Sequence, residues 1–210
     1  MKRFFLVSAF IFLTAVLSLS AGDKKKPNGF YQHPGLTADL GKVSLSIAQQ
    51  KCENWAVAAG LETMLKSQGV ALSQSFWVMR LNSGELCVEG MPSMEKLADT
   101  VNHEFVLDDG RHVHLELRFS AGAPVDLDSI IAGIQQQKPT LMLLRGHTYY
   151  LTGVTYDEYV GANNTRRFII KALRLADTFG GGPGIVFTNG EDKTEDIEGV
   201  LDVSVTWLER

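Results

Sequence analysis

The residues of this sequence that could do nucleophilic chemistry are two cysteines, Cys52 and Cys87, and five histidines. A thiol is a useful nucleophile only as its thiolate. The N-terminus of a helix lowers a thiol pKa, because unpaired backbone N–H groups and the helix dipole favour the anion. Cys52 stands directly before the helix-like run ENWAVAAGLETMLKSQG. The sequence therefore presents Cys52 as a candidate nucleophile at the start of a helix.

A cysteine nucleophile also needs a histidine to move its proton and a carboxylate or amide to orient that histidine. His147 begins the predicted strand HTYYLTGVTY, and Asp177 ends the next predicted strand, RRFIIKALRLAD. If these two strands pair, Asp177 can reach the imidazole, because alternate residues share one face of a strand. Asp157 is nearer in sequence but falls in a predicted turn. The candidate triad is therefore Cys52, His147 and Asp177.

The same cysteines have a second interpretation, because the N-terminus is typical of an export signal. MKR precedes the apolar run FFLVSAFIFLTAVLSLSA and then small residues, which is the layout of a secretory signal peptide. The apolar run is shorter than the ~20 residues that a membrane-spanning helix needs. We therefore expect a secreted or periplasmic protein with no stable membrane association after cleavage. In such an oxidising compartment Cys52 and Cys87 could instead form a disulfide.

The composition is that of an ordinary globular domain. Of 210 residues, 45% are hydrophobic and 21% are charged, which is enough for one sizeable core. A net charge of −4 and the lack of an arginine-rich stripe argue against nucleic acid as a partner. The sequence predicts a signal peptide over 1–22, a polar linker rich in proline and glycine over 23–42, and one domain over 43–210.

Helical patterns dominate the first half of the chain and strand patterns the second. Apolar spacing predicts helices over 53–67, 71–82 and 93–102, and a later helix in VDLDSIIAGIQQQKP. Ser73 and Ser93 are the expected N-caps of the second and third helices. Alternating or continuous apolar runs predict strands over 112–120, 140–146, 147–156 and 166–177, and in GVLDVSVTWLE. This order predicts an α+β fold with helices packed against an antiparallel sheet.

Three segments resemble the papain-like cysteine peptidases, most closely the bacterial branch related to peptidases that process double-glycine bacteriocin leaders. CENWAVA (52–58) is similar to the cysteine segment of that branch, and GHTYYLTG (146–153) is similar to its histidine segment. LRLADTFGGG (173–182) is similar to the strand that ends in the orienting residue, with Thr178 in place of the usual proline. The resemblance extends over residues 45–180.

This resemblance implies an exported cysteine peptidase that hydrolyses a peptide or protein substrate and needs no cofactor. It implies a papain-like α+β fold, with N-terminal helices packed on a C-terminal antiparallel sheet. Cys52 would be the nucleophile, His147 the general base and Asp177 the residue that orients the base. Gln49 or Gln50 would donate to the oxyanion, as a glutamine upstream of the cysteine does in the family.

One departure leaves an alternative open. In the papain branch proper, the nucleophile directly precedes a Trp–Ala pair, whereas Asn54 precedes Trp55 and Ala56 here. In that register Asn54 occupies the nucleophile position, and the protein is a catalytically inactive papain-like secreted binding protein with a Cys52–Cys87 disulfide. We expect the register in which Cys52 is the nucleophile, with the Asn54 register as the alternative.

Overall fold

The structure of the protein is a computed structural model. It describes residues 24–25, 31–40, 48–82, 84, 87, 93–124, 127–179 and 185–209. The signal peptide predicted over 1–22 and the short strand expected near 43–47 therefore lie outside the described residues. Within the described ranges, no helix combines the length and the apolar character needed to span a membrane.

The helices follow the predicted apolar patterns closely. The described residues form four α-helices, which are α1 (Ala56–Ser67), α2 (Gln74–Asn82), α3 (Met94–Val101) and α4 (Leu127–Gln135). The backbone N–H of Phe76 donates to Ser73 Oγ at 3.3 Å, and that of Lys96 donates to Ser93 Oγ at 3.2 Å. Both serines satisfy an N–H group that a helix start leaves unpaired, so the two predicted N-caps are confirmed.

The strands form one antiparallel sheet. They are β1 (Lys24–Lys25), β2 (Tyr31–Asp39), β3 (Glu104–Val106), β4 (His112–Ala121), β5 (Thr140–Leu144), β6 (His147–Val160), β7 (Arg166–Asp177), β8 (Ile185–Thr188) and β9 (Ile197–Leu208). β6 pairs with β7 along one edge, and with β5 and then β2 along the other. Beyond β5 the order continues through β9 and β4 to β3, while β8 extends the sheet from β7. The predicted α+β class is confirmed.

Helices cover the sheet on both faces, as β5 shows most clearly. Its residues alternate between two apolar cores: Leu141 and Leu143 pack in the cluster that contains α1, α2 and α3, and Met142 and Leu144 pack in the cluster that contains α4. All five residues of β5 are buried. A strand that is buried on both faces has an almost continuous apolar sequence, which explains the run TLMLL.

The start of α1 differs from the prediction. The sequence predicts a helix from residue 53, but α1 begins at Ala56 with Trp55 as its N-cap. The residues before it form a turn in which the N–H of Trp55 donates to the carbonyl of Cys52 at 2.9 Å. Cys52 therefore lies four residues before the first helical residue (56 − 52 = 4) and does not open the helix.

Part of the predicted linker over 23–42 is also a strand. β2 lies inside this segment and pairs with the distal half of β6. Pro34 and Gly35, which favoured a linker, lie at a register shift in the pairing, where a bulge tolerates both residue types. Gly35 has a φ of 67°, a conformation that glycine adopts without a steric penalty. The segment predicted as a linker therefore contributes a strand to the sheet.

Close packing between α1 and β5 generates a test of this architecture. A Cβ atom at Gly60 of α1 would overlap the side chain of Leu141, which is fully buried. We expect Gly60→Ala to lower the free energy of unfolding by about 1–3 kcal/mol through overpacking, despite a gain of up to ~1 kcal/mol in helix propensity. Urea denaturation followed by circular dichroism measures the change.

Gly133 provides the matched control, because it also lies inside a helix, α4. A Cβ there would meet its nearest neighbour, the carbonyl oxygen of Lys138, at 3.7 Å, which is an ordinary contact. Gly133→Ala should therefore raise the free energy of unfolding by up to ~1 kcal/mol. Equal stability of the two variants would contradict the close approach of α1 to β5.

Candidate functional site

A cleft of about 480 Å³ lies at the N-terminal end of α1. Its wall comes from the turn before α1, the end of α2, the β5–β6 turn, the end of β7 and the start of β9. Three of the residues predicted for the site, Gln50, His147 and Asp177, lie in this wall. Cys52 and Gln49 are not part of it. The cleft is therefore the place where the predicted histidine and carboxylate meet, without the predicted nucleophile.

The pairing of β6 with β7 brings His147 and Asp177 to one face. Asp177 lies directly opposite Tyr149, and His147 is two residues before Tyr149 on the same face of β6. His147 and Asp177 are thus diagonal neighbours, a relation that puts two residues roughly 7–8 Å apart, within reach of long side chains. The prediction that these strands pair is confirmed. Asp177 Oδ1 accepts the N–H of Phe179 at 2.9 Å, so this carboxylate also holds the turn after β7.

Cys52 forms a disulfide with Cys87. The two Cα atoms are 6.0 Å apart, and neither cysteine of the chain is free. Cys52 is half-buried and packs against the apolar cluster under α1, α2 and α3. A disulfide sulfur has no thiolate form, so Cys52 has no nucleophilic character in this state. The structure therefore contains the pairing of the alternative interpretation and does not assemble Cys52 with His147 and Asp177.

Asn54 lines the cleft, whereas Cys52, two residues earlier in the chain, does not. The Asn54 side chain is exposed and lines the cleft, directly before the N-cap Trp55. The N-cap offers no side-chain hydrogen bond, and the first helical bond runs from Ala59 N–H to the carbonyl of Trp55. Among the described residues, the backbone N–H groups of residues 56–58 have no acceptor. Unpaired N–H groups at a helix start attract carbonyl oxygens and anions.

Of the two glutamines predicted to donate to an oxyanion, only Gln50 reaches the cleft. Gln50 is buried, and its Oε1 lies 3.0 Å from the hydroxyl of Thr178, which in turn lies 3.2 Å from the carbonyl of Thr148. Its Nε2 donates to the carbonyl of Glu53. Gln50 therefore braces the turn before α1 against the end of β7. Gln49 is exposed, and its carbonyl accepts a hydrogen bond from α2.

The turn that precedes His147 is held by residues that the sequence analysis did not identify. Arg145 and Gly146 have φ angles of 51° and 75°, which forms a tight turn between β5 and β6. Arg145 Nε donates to Asp196 Oδ2 at 2.8 Å, and the N–H of Gly146 donates to Glu198 Oε1. These long-range contacts fix the start of β6 and thus the position of His147. Only Gly146 gave a local signal for this turn.

Asp157, the other carboxylate considered in the sequence, does not serve the histidine. It lies inside β6, beyond the predicted end of that strand, and is buried against β2. Its Oδ1 accepts the N–H of Gly35 at 3.0 Å, and its Oδ2 lies 3.4 Å from Lys171 Nζ. Burial by itself raises the pKa of Asp157, but the Gly35 N–H and the Lys171 ammonium lower it overall. Asp157 anchors β2 to the sheet.

Comparisons with known proteins leave the site to be interpreted from its own geometry. No family model matches this chain, and no curated protein or solved structure matches it either. Across the described parts of the chain, no group of three or more His, Cys, Asp or Glu side chains is arranged to hold a metal ion.

The disulfide generates a stability prediction. Cys52 and Cys87 are 35 residues apart, and a crosslink over a loop of this length contributes about 3–4 kcal/mol by restricting the unfolded chain. The double variant Cys52→Ser, Cys87→Ser should therefore unfold at lower urea concentration, by about that free energy. Wild-type protein kept in reductant is the control and should match the double variant. Equal stability of oxidised wild type and double variant would contradict the crosslink.

Proposed function

We propose that this protein is an exported, non-catalytic binding protein whose cleft at the start of α1 holds a peptide segment. One observation carries the proposal: Asn54 lines the cleft together with His147 and Asp177, while Cys52 is bonded to Cys87 outside the cleft wall. A carboxamide is not among the side chains that act as covalent nucleophiles in enzymes. A bound peptide would accordingly be held and released unchanged.

The cleft has the features that a peptide ligand requires. Its volume of about 480 Å³ lies in the range of small-ligand sites. Trp55, Leu81 and Leu143 give it an apolar wall, on which an apolar side chain of a ligand could be buried. The unpaired N–H groups of residues 56–58 would donate to a peptide carbonyl or to a terminal carboxylate. Apolar contact and backbone recognition together favour a peptide over a purely apolar ligand.

The papain-like family is part of the same proposal. In the register where the nucleophile directly precedes a Trp–Ala pair, Asn54 is the equivalent residue, and α1 begins at Ala56, directly after that pair's tryptophan. The chain order of Asn54, His147 and Asp177 then follows the family's order of nucleophile, base and orienting residue. The protein would be a papain-like relative that kept the cleft and lost the thiol.

Export is supported by two independent features. The N-terminal sequence has the layout of a signal peptide, and the disulfide is a bond that persists in oxidising compartments. A secreted or periplasmic location would keep Cys52 and Cys87 paired. That location is consistent with a binding role that does not need a thiol.

A cysteine peptidase is the second candidate, favoured by the shared face of His147 and Asp177 on β6 and β7. It requires that the disulfide be reduced and that Cys52 move into the cleft. Fluorogenic peptide substrates, assayed with and without reductant, separate the two proposals. We expect no hydrolysis in either condition. Hydrolysis that appears with reductant and disappears in Cys52→Ser would establish the peptidase and overturn the binding proposal.

The assigned register makes a sharper prediction about Asn54. In Asn54→Cys, the new thiol would lie in the cleft near an uncapped helix start and His147. We expect these two groups to lower its pKa by more than the carboxylates in the cleft wall raise it. We expect its alkylation by iodoacetamide at neutral pH to be about tenfold faster than that of an ordinary exposed cysteine, because a larger fraction is thiolate. Adding His147→Ala should remove most of this advantage. Rates are followed by mass spectrometry, which also verifies that Cys52 and Cys87 remain paired.

Ser93→Cys is the matched control for this experiment. Ser93 likewise lies at the start of a helix, as the N-cap of α3, but it is outside the cleft. A helix start alone would accelerate both new thiols, whereas His147 would accelerate only the one at position 54. Equal rates at the two positions, unaffected by His147→Ala, would refute the papain-like register.

A further inference from the structure

Apart from His147, the ionisable side chains in the wall of the cleft that are charged at neutral pH are all carboxylates. Glu53, Asp177 and Glu198 line it, and no lysine or arginine does. All three carboxylates belong to exposed residues, and none forms an ion pair with a lysine or arginine of the described ranges. His147 is the one histidine among the residues that line the wall. The cleft is the proposed binding site, and these carboxylates make its wall negatively charged.

The three carboxylates come from separate parts of the fold. Glu53 lies in the turn before α1, Asp177 ends β7, and Glu198 is near the start of β9. Asp177 accepts the N–H of Phe179, and Glu198 accepts the N–H of Gly146. These bonds fix two of the carboxylates at the cleft, each with a second oxygen that no described residue occupies. Three carboxylates that are far apart in the sequence therefore lie at one cleft in the folded protein.

The surroundings strengthen the effect of this charge. Apolar walls of low dielectric focus the field of nearby charges into a cleft. Phe179, at the cleft, leaves 52% of its surface exposed, and Tyr149 lines the cleft as well. Aromatic faces attract ammonium and guanidinium groups, and they also cover the methylene stems of lysine and arginine. Carboxylates beside exposed aromatic rings fit a long, basic side chain better than an acidic or a short one.

We propose that the cleft selects peptides that carry lysine or arginine. The basic group pairs with the carboxylates of Glu53, Asp177 and Glu198, and its stem lies on Phe179. The apolar wall accepts a neighbouring apolar residue of the same peptide. This inference rests on the proposed function, because it names the chemistry of the peptide that the cleft holds.

The test uses the oxidised, full-length secreted chain and three pools of short fluorescent peptides. The pools share their randomised apolar positions and differ only in fixed lysines, glutamines or glutamates. We expect fluorescence anisotropy to show the lysine pool binding about tenfold more tightly than the glutamine pool, and the glutamate pool most weakly. The lysine advantage should shrink as salt rises, because counterions screen exposed charges.

Isosteric amide variants locate the effect. Glu53→Gln, Asp177→Asn and Glu198→Gln each remove one charge. In Asp177→Asn and Glu198→Gln, the amide oxygen can still accept the N–H of Phe179 and of Gly146. Each variant should weaken binding of the lysine pool about threefold to tenfold, and should weaken it more than binding of the glutamine pool, so that the lysine advantage shrinks. Glu95→Gln is the matched control, since Glu95 is an exposed carboxylate on α3 outside the cleft. It should change neither affinity.

The outcomes separate this inference from the proposed function. If the glutamine and lysine pools bind equally and the amide variants change nothing, the peptide-binding cleft stands and the charge selectivity is overturned. If Glu95→Gln weakens the lysine pool as much as Glu53→Gln does, the selectivity comes from net charge, and the inference also fails. If no pool binds at any salt concentration, the proposed function itself is overturned.

Discussion

The disulfide between Cys52 and Cys87 is the constraint on which the composition of the cleft depends. It uses both cysteines of the chain and ties the turn before α1 to Cys87, which follows α2 in the sequence. On the opposite side, Gln50 connects the same turn to Thr178 at the end of β7. Held from both sides, the turn presents Asn54 to the cleft and keeps Cys52 against the apolar core. The polar side chains that line the cleft therefore include amides and carboxylates and no thiol.

The fold could be predicted where periodicity is strong. β7 has the predicted bounds of 166–177, and the serine caps of α2 and α3 occupy their predicted positions, because strand alternation and capping are local signals. The start of α1 was predicted too early, since its N-cap Trp55 provides no side-chain bond that a sequence pattern could reveal. β2 was missed because Pro34 and Gly35 usually mark loops and here occupy a bulge.

The candidate site was predictable only in part, because only some of its contacts follow from local sequence patterns. The shared face of His147 and Asp177 follows from alternation along two strands, so it was accessible from sequence. Whether Cys52 is a free thiol or part of a disulfide could not be predicted from the sequence. The answer depends on how close Cys87, 35 residues further along the chain, lies to Cys52 in the fold. Nor could any local pattern show that Arg145 and Glu198 hold the turn before the histidine, since both contacts cross to a distant segment.

Because β5 is buried on both of its faces, its residues connect the cleft with the two apolar cores of the protein. Leu143 lies both in the wall of the cleft and in the core that holds α1, α2 and α3 to the sheet. Its strand neighbours Met142 and Leu144 face the other core, under α4. A ligand bound as proposed would therefore contact a residue that also belongs to the protein's own core. A ligand that binds only the native state shifts the folding equilibrium towards that state. The thermal stability of the protein would therefore rise with the fraction of clefts that hold a ligand.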